Sequence, residues 1–91
     1  MILMNEIDYD KIYLYRDIEG YQYGLWNEAA ILIGKIQLIE GNFFIHGFII
    51  NKEKEGKYYN AFVYSSADLR EATPEEIEQY EEFKNIQKYN L

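Results

Sequence analysis

Apolar and polar residues alternate with a period of two along much of the chain before Ser65, which is the spacing of half-buried β-strands. The alternating stretches are rich in Ile, Tyr and Phe, which favour strands. They predict strands over residues 11–18, 30–39, 43–50 and 58–65, with 21–26 as a weaker candidate that Gly24 interrupts. Residues 27–30 fit either a loop or one helical turn. The pattern indicates an antiparallel meander of three to five strands.

The strongest hairpin signal joins the strands predicted at 30–39 and 43–50. Glu40-Gly41-Asn42 lies between them, and Gly41 and Asn42 both tolerate the positive φ that tight turns use. Residues 30–39 are apolar on both faces at first and polar on one face later, which predicts a strand buried at one end. Residues 51–57 alternate in charge and are expected to form a solvated hairpin tip.

After residue 72 the pattern predicts a helix over residues 74–88. Thr73 is expected to be the N-cap, with Pro74 at the first helical position. Glu76 then closes a capping box with Thr73.

The two sides of this helix differ in character at 100° per residue. Three residues are expected to pack against the sheet: Ile77, Tyr80 and Phe83. Three acids lie on the opposite side: Glu75, Glu78 and Glu82. Ile86 falls among these acids, where no core is expected, so either the helix end frays or Ile86 contacts something else.

Length and composition limit the fold to one domain. The chain has 91 residues, of which 48% are apolar and 18% aromatic, well above the content of a disordered acidic chain. We expect a single domain over residues 1–91, with a sheet over about 9–72 and a helix over about 74–88. The fold class is therefore α+β, with a curved antiparallel β-sheet and one C-terminal α-helix.

The chain has no cysteine, which removes disulfides, thiolate metal sites and thiol nucleophiles and fits a reducing compartment. No apolar stretch reaches the ~18 residues of a spanning helix. Residues 1–4 are apolar, but Asn5-Glu6 follows, unlike a signal peptide. We expect a cytoplasmic protein without membrane contact.

Templates for catalysis and cofactor binding are missing from the sequence. His46 is the single histidine, and the alternation puts it in an apolar row with Phe48, as a half-buried packing residue. Catalytic use would require Ser65, Ser66 or Asp68 beside it. The sequence has no EF-hand loop, Walker motif or dinucleotide-binding glycine motif, so we expect no enzyme activity, metal or cofactor.

Direct binding to nucleic acid is not expected either. Ten tyrosines and five phenylalanines could stack bases on a sheet. Proteins that do so also carry a basic groove, because contacts to phosphates supply most of the affinity. This chain has nine Lys and Arg against 16 Asp and Glu, a net charge of −7.

The negative charge is concentrated at the two ends of the chain. Residues 1–19 carry five acids and two bases, and residues 71–91 carry six acids and two bases, while the remainder sums to zero. If the ends lie together, they form a negative patch that attracts basic protein surfaces. The simpler interpretation is a solvated helix that keeps the chain soluble. Glu78 and Glu82 argue mildly against it, because like charges at i and i+4 destabilise a helix.

The segment Leu69-Arg70-Glu71-Ala72-Thr73-Pro74-Glu75-Glu76-Ile77 resembles the C-terminal end of small SH3-like β-barrel proteins. A short strand ending in Leu-Arg-x-Ala-Thr and a helix beginning Pro-Glu-Glu-Ile carry the resemblance, which covers roughly residues 58–83. Such proteins are common in phages and mobile elements of low-GC bacteria. The resemblance implies an SH3-like barrel. It also implies a class of acidic accessory proteins that includes inhibitors of host nucleases and of defence systems, some of them DNA mimics.

These observations lead us to expect a non-catalytic binding protein that occupies a basic surface of a host protein, such as a nuclease or defence effector, in the host cytoplasm. Charge would come from three acids: Glu75, Glu78 and Glu82. Contact area would come from three tyrosines: Tyr13, Tyr15 and Tyr89. One alternative is a module that binds a nucleotide-like ligand as a homodimer or larger assembly. The other is a small structural or assembly subunit.

Overall fold

The computed structural model describes residues 3–51 and 57–89, with Tyr89 described for its backbone alone. Within these residues the chain forms five strands and two α-helices. They follow in the order β1 (Ile12–Asp17), α1 (Ile18–Gln22), β2 (Ala30–Ile39), β3 (Asn42–Ile49), β4 (Tyr58–Phe62), β5 (Leu69–Glu71) and α2 (Pro74–Tyr89). Short 3-10 helices lie at Met4–Glu6 and Ser66–Asp68.

The five strands form one antiparallel sheet in the order β4-β3-β2-β1-β5. β4 and β5 lie at opposite edges, although only residues 63–68 connect them. So short a segment is typical of a curved sheet, in which the two edges approach each other. The backbone N–H of Tyr64 donates to the hydroxyl of Tyr15 at 3.3 Å, which ties this crossing segment to β1. The predicted α+β fold, with a curved antiparallel sheet and one C-terminal helix, is confirmed.

The β2–β3 hairpin is the part of the sheet that the sequence predicts most closely. β2 covers 30–39 as predicted, and β3 begins at Asn42, one residue early. Glu40 and Gly41 form a two-residue turn, with φ of 51° and 81°. Positive φ at both central positions is the conformation whose twist matches the flanking strands.

The centre of the sheet is buried on both faces. One face carries a core of Tyr13, Tyr15, Leu32, Ile45 and neighbouring residues, against which Met4, Ile7 and Trp26 pack. The other face carries Ile12, Leu14, Ile33 and Phe48, and α2 covers it with Tyr80 and Phe83.

Tyr13 and Tyr15 are core residues, each 2% exposed. Our expectation that they supply contact area to a partner is wrong. The alternation in β1 places them on one face, but β1 lies between β2 and β5, and both of its faces are covered.

The strand predicted at 21–26 is wrong as well. Asp17 caps a short helix instead, and its Oδ1 accepts a hydrogen bond from the N–H of Gly20 at 3.2 Å. The chain then folds back, because the carbonyl of Gly20 accepts from the N–H groups of Leu25 and Trp26. β4 also ends earlier than predicted, at Phe62.

The solvated hairpin tip predicted at 51–57 lies largely outside the described residues. Within the described part of the chain, no helix has the length and apolar character needed to cross a membrane.

Candidate functional site

The candidate site is the outer side of α2, and its position depends on how the helix begins. The N–H of Glu76 donates to Oγ1 of Thr73 at 3.3 Å, and the N–H of Thr73 donates to Oε1 of Glu76 at 2.8 Å. These reciprocal bonds confirm the predicted capping box.

Arg70 of β5 also binds Glu76, which the sequence pattern did not indicate. Nη1 and Nη2 of Arg70 each lie 2.8 Å from a carboxylate oxygen of Glu76. The Arg70 guanidinium, together with the bond from Thr73, lowers the pKa of Glu76 from 4.5 to about 2. The pair ties the start of α2 to the edge of the sheet.

Aromatic packing fixes the rotation of α2 about its own axis. The rings of Tyr80 and Phe83 lie 5.7 and 5.5 Å from the ring of Phe48 on β3. Tyr80 is buried, and this burial raises the pKa of its hydroxyl. Nζ of Lys84 lies 5.6 Å from the centre of the Tyr80 ring, within the range of a cation–π contact. Ile77, the third residue expected to pack against the sheet, is 38% exposed and belongs to neither core, so that expectation is wrong.

With the helix held in this rotation, three carboxylates point to solvent, and we call them the acidic face: Glu75, Glu78 and Glu82. Within residues 3–51 and 57–89, none of the three forms a salt bridge. The helical repeat places Ile86 on the same side, one turn beyond Glu82, and its side chain is 56% exposed. Ile86 lies within the α-helix, so a frayed helix end does not explain its position.

Three basic residues have acidic partners elsewhere. Lys11 binds Glu71 at 2.6 Å, and Arg16 binds Asp68 at 2.9 Å. Arg70 is engaged with the first turn of α2. These cations are therefore not available to neutralise the acidic face.

The two acidic ends of the chain meet only in part. An open cleft of about 450 Å³ brings Asp10 of the N-terminal segment beside Glu71 and Glu81. Lys11 and Lys35 line the same cleft. The negative charge is therefore interrupted there, and the acidic face of α2 is the more uniform surface.

The exposed aromatic residues are not the ones that the sequence pattern selected. The side chain of Tyr89 lies outside the described part of the molecule. The segment between β1 and β2 instead exposes Tyr21, Tyr23 and Leu25, by 53%, 74% and 63%. Their alternation looks like a strand in the sequence. Asp17, followed three residues later by Gly20, is a local signal of a capped turn, and it could have argued against a strand at 21–26.

His46 is half-buried on β3, as expected. Its Nδ1 lies 3.2 Å from the hydroxyl of Tyr58, and its Nε2 is buried without a hydrogen-bond partner among the described residues. Ser65 accepts from the N–H of Ala67, and Asp68 pairs with Arg16. The described residues therefore do not assemble the triad that nucleophilic catalysis would need.

A metal centre is not evident in the described ranges, since they contain no group of three or more His, Asp or Glu side chains placed to hold an ion.

No protein-family model, curated protein or solved structure matches this chain.

Proposed function

We propose that the protein is a non-catalytic binding protein, and that the acidic face of α2 docks on a basic protein surface. The observation that carries this proposal is the contrast between the two sides of the helix. Tyr80 and Phe83 fix one side to the sheet, whereas Glu75, Glu78 and Glu82 are exposed and make no salt bridge among the described residues. A basic partner would relieve the repulsion between Glu78 and Glu82.

Ile86 adds an apolar contact to this surface. Interfaces combine charged rims with apolar residues that become buried on binding. Ile86 lies one turn from Glu82 on the same side, so a partner that covers the acids can also bury this side chain.

The partner class that fits best is a nucleic-acid-binding protein of the host, such as a nuclease or a defence effector. A row of carboxylates on a rigid helix can occupy a site that otherwise holds phosphates. The proposed origin is a phage-type accessory protein with an SH3-like barrel, acting in the host cytoplasm. The SH3-like part of this proposal rests on the resemblance carried by residues 69–77.

The test is a charge reversal with a matched control. The variant carries Glu75→Lys, Glu78→Lys and Glu82→Lys. The control carries the same charge change away from α2, at three acids: Glu6→Lys, Asp10→Lys and Glu40→Lys. Both are assayed with the wild type as inhibitors of a panel of purified bacterial nucleases, over a range of salt and DNA concentrations.

We expect the wild type and the control to inhibit a member of the panel in competition with DNA, and more weakly as salt rises. The α2 variant should lose at least about tenfold in inhibition. Equal inhibition by all three proteins would exclude the acidic face as the binding surface.

A further inference from the structure

Among the described residues, β4 is an edge strand whose outer side is unpaired. Its inner side is bonded to β3, as the flanking bonds from Val63 N to Phe43 O (2.8 Å) and from Ile49 N to Lys57 O (3.1 Å) show. In an antiparallel ladder the backbone groups of alternate residues point the other way. Three residues of β4 therefore turn their N–H and C=O groups outward: Tyr58, Asn60 and Phe62.

These outward groups have no partner within residues 3–51 and 57–89. The next outward N–H along the chain, that of Tyr64, is satisfied by the hydroxyl of Tyr15 on β1. This bond satisfies Tyr64, whereas the outward groups of Tyr58, Asn60 and Phe62 stay open among the described residues.

The β4 edge also lacks the features that normally block pairing with another chain. Edge strands are usually protected by charged side chains, proline or a bulge. Residues 58–62, Tyr-Tyr-Asn-Ala-Phe, contain neither an Asp, Glu, Lys or Arg nor a proline. They pair with β3 in unbroken register, without a bulge.

We propose that a second copy of this chain pairs antiparallel with the outer edge of β4, about a two-fold axis at Asn60. Asn60 of each copy then faces Asn60 of the other, and Tyr58 of each copy faces Phe62 of the other. This pairing forms about six backbone hydrogen bonds and joins the two sheets into one. The proposal is independent of the function assigned to α2.

The sequence of β4 favours a second copy as the occupant. Its outward positions are Tyr58, Asn60 and Phe62, so a two-fold pairing sets Asn60 against Asn60 and an aromatic ring against an aromatic ring on either side. Tyr58 and Phe62 lie on one face of the sheet, and their pairing places two aromatic rings side by side at each end. A net charge of −7 opposes self-association elsewhere, whereas this strand carries no formal charge.

The first test uses substitutions at Asn60, compared by analytical ultracentrifugation over a wide range of concentration. Asn60→Pro removes the outward N–H and leaves the bonds to β3 intact, since proline is tolerated where an edge N–H faces solvent. Asn60→Lys places two like charges together at the axis. Gln37→Lys, on the same face of the sheet but in β2, is the matched control.

We expect the wild type and Gln37→Lys to form dimers as concentration rises, and both Asn60 variants to remain monomeric with unchanged circular dichroism. A wild type that stays monomeric at the highest concentration overturns the proposal. So does a dimer that persists in Asn60→Lys.

The second test is a disulfide cross-link at the axis. The chain has no cysteine, so Asn60→Cys introduces a single thiol per copy. Directly opposed residues of a bonded antiparallel pair have Cα atoms about 5.5 Å apart, within the range of disulfides. Mild oxidation should cross-link Asn60→Cys much faster than Gln37→Cys. Equal rates for the two variants would contradict the proposed axis.

Discussion

Gly34 of β2 lies directly opposite Gly47 of β3, and neither position has room for a Cβ atom. A Cβ on either glycine would overlap the backbone of the opposite strand, which cannot move away without breaking the ladder. We expect Gly47→Ala to lower the free energy of unfolding by about 3 kcal/mol, measured by urea denaturation.

Gly24→Ala is the control for that substitution. Gly24 has a φ of 76° and open space around it, so alanine there brings only backbone strain. We expect Gly24→Ala to lower the free energy of unfolding by about 1 kcal/mol. A Gly47→Ala variant no more destabilised than Gly24→Ala would contradict a steric role for Gly47 between β2 and β3.

The ion pair between Arg70 and Glu76 predicts a dependence of stability on pH. The pKa of Glu76 is about 2 in the folded protein and 4.5 without its partners. Because folding lowers this pKa, the pair contributes fully above pH 4.5, and its contribution is lost as pH falls toward 2. We expect Glu76→Gln to destabilise the protein at neutral pH by about 1 to 2 kcal/mol, less than the whole shift, because the Arg70 side chain is 56% exposed.

The measurement is urea denaturation of Glu76→Gln and the wild type at a series of pH values. Their difference should shrink steadily as the solution is acidified. Glu71→Gln, which removes the exposed ion pair with Lys11, is the control and should change stability little at any pH. A Glu76→Gln deficit that is constant with pH would contradict this assignment.

Asp17 is a buried carboxylate that holds the segment between β1 and β2. It accepts from the N–H of Gly20 at 3.2 Å and from Nε1 of Trp26 at 3.3 Å. Asp17→Ala leaves these two donors without their partner. We therefore expect it to lower the free energy of unfolding by about 2 to 3 kcal/mol. Trp26 is the single tryptophan, so its fluorescence should shift to longer wavelength as the ring becomes more solvated. Asp10→Ala, at an exposed position, should leave the emission unchanged.

Burial raises the pKa of Tyr15 and of Tyr80, which predicts a loss of stability in alkali. Since tyrosine titrates near pH 10 in the unfolded chain, the stabilisation is complete below that pH and declines above it. Tyr80→Phe removes one of these groups and should make the decline shallower. Tyr23→Phe, at a residue that is 74% exposed, should leave the decline of stability in alkali unchanged. Thermal unfolding between neutral pH and strong alkali compares the three proteins.

The elements that the sequence predicts well depend on nearby residues. The capping box of Thr73 and Glu76 and the turn at Gly41 are complete within a few positions, so both can be predicted from the chain. The second positive φ of the turn, however, is at Glu40 and not at Asn42. The helix side that packs on the sheet follows from the spacing of Tyr80 and Phe83.

Two of the features that sequence analysis missed depend on distant residues. Whether Tyr13 is exposed depends on the N-terminal segment that packs on its face and on β5, which pairs beside it. The bond from Arg70 to Glu76, by contrast, joins residues only six positions apart, and alternation does not show which way the Arg70 side chain points. The open edge of β4 follows from the order of the strands, which alternation does not encode.

The pairing of β1 with β5 also has a consequence for synthesis of the chain. Lys11, which precedes β1, and Glu71, the last residue of β5, are 60 residues apart, whereas the hairpins of β2, β3 and β4 need only local contacts. Long-range pairing is slow to form, because a large loop must close first. A nascent chain on the ribosome therefore carries an unpaired β1 edge until β5 has emerged. During that interval it should depend most on chaperones.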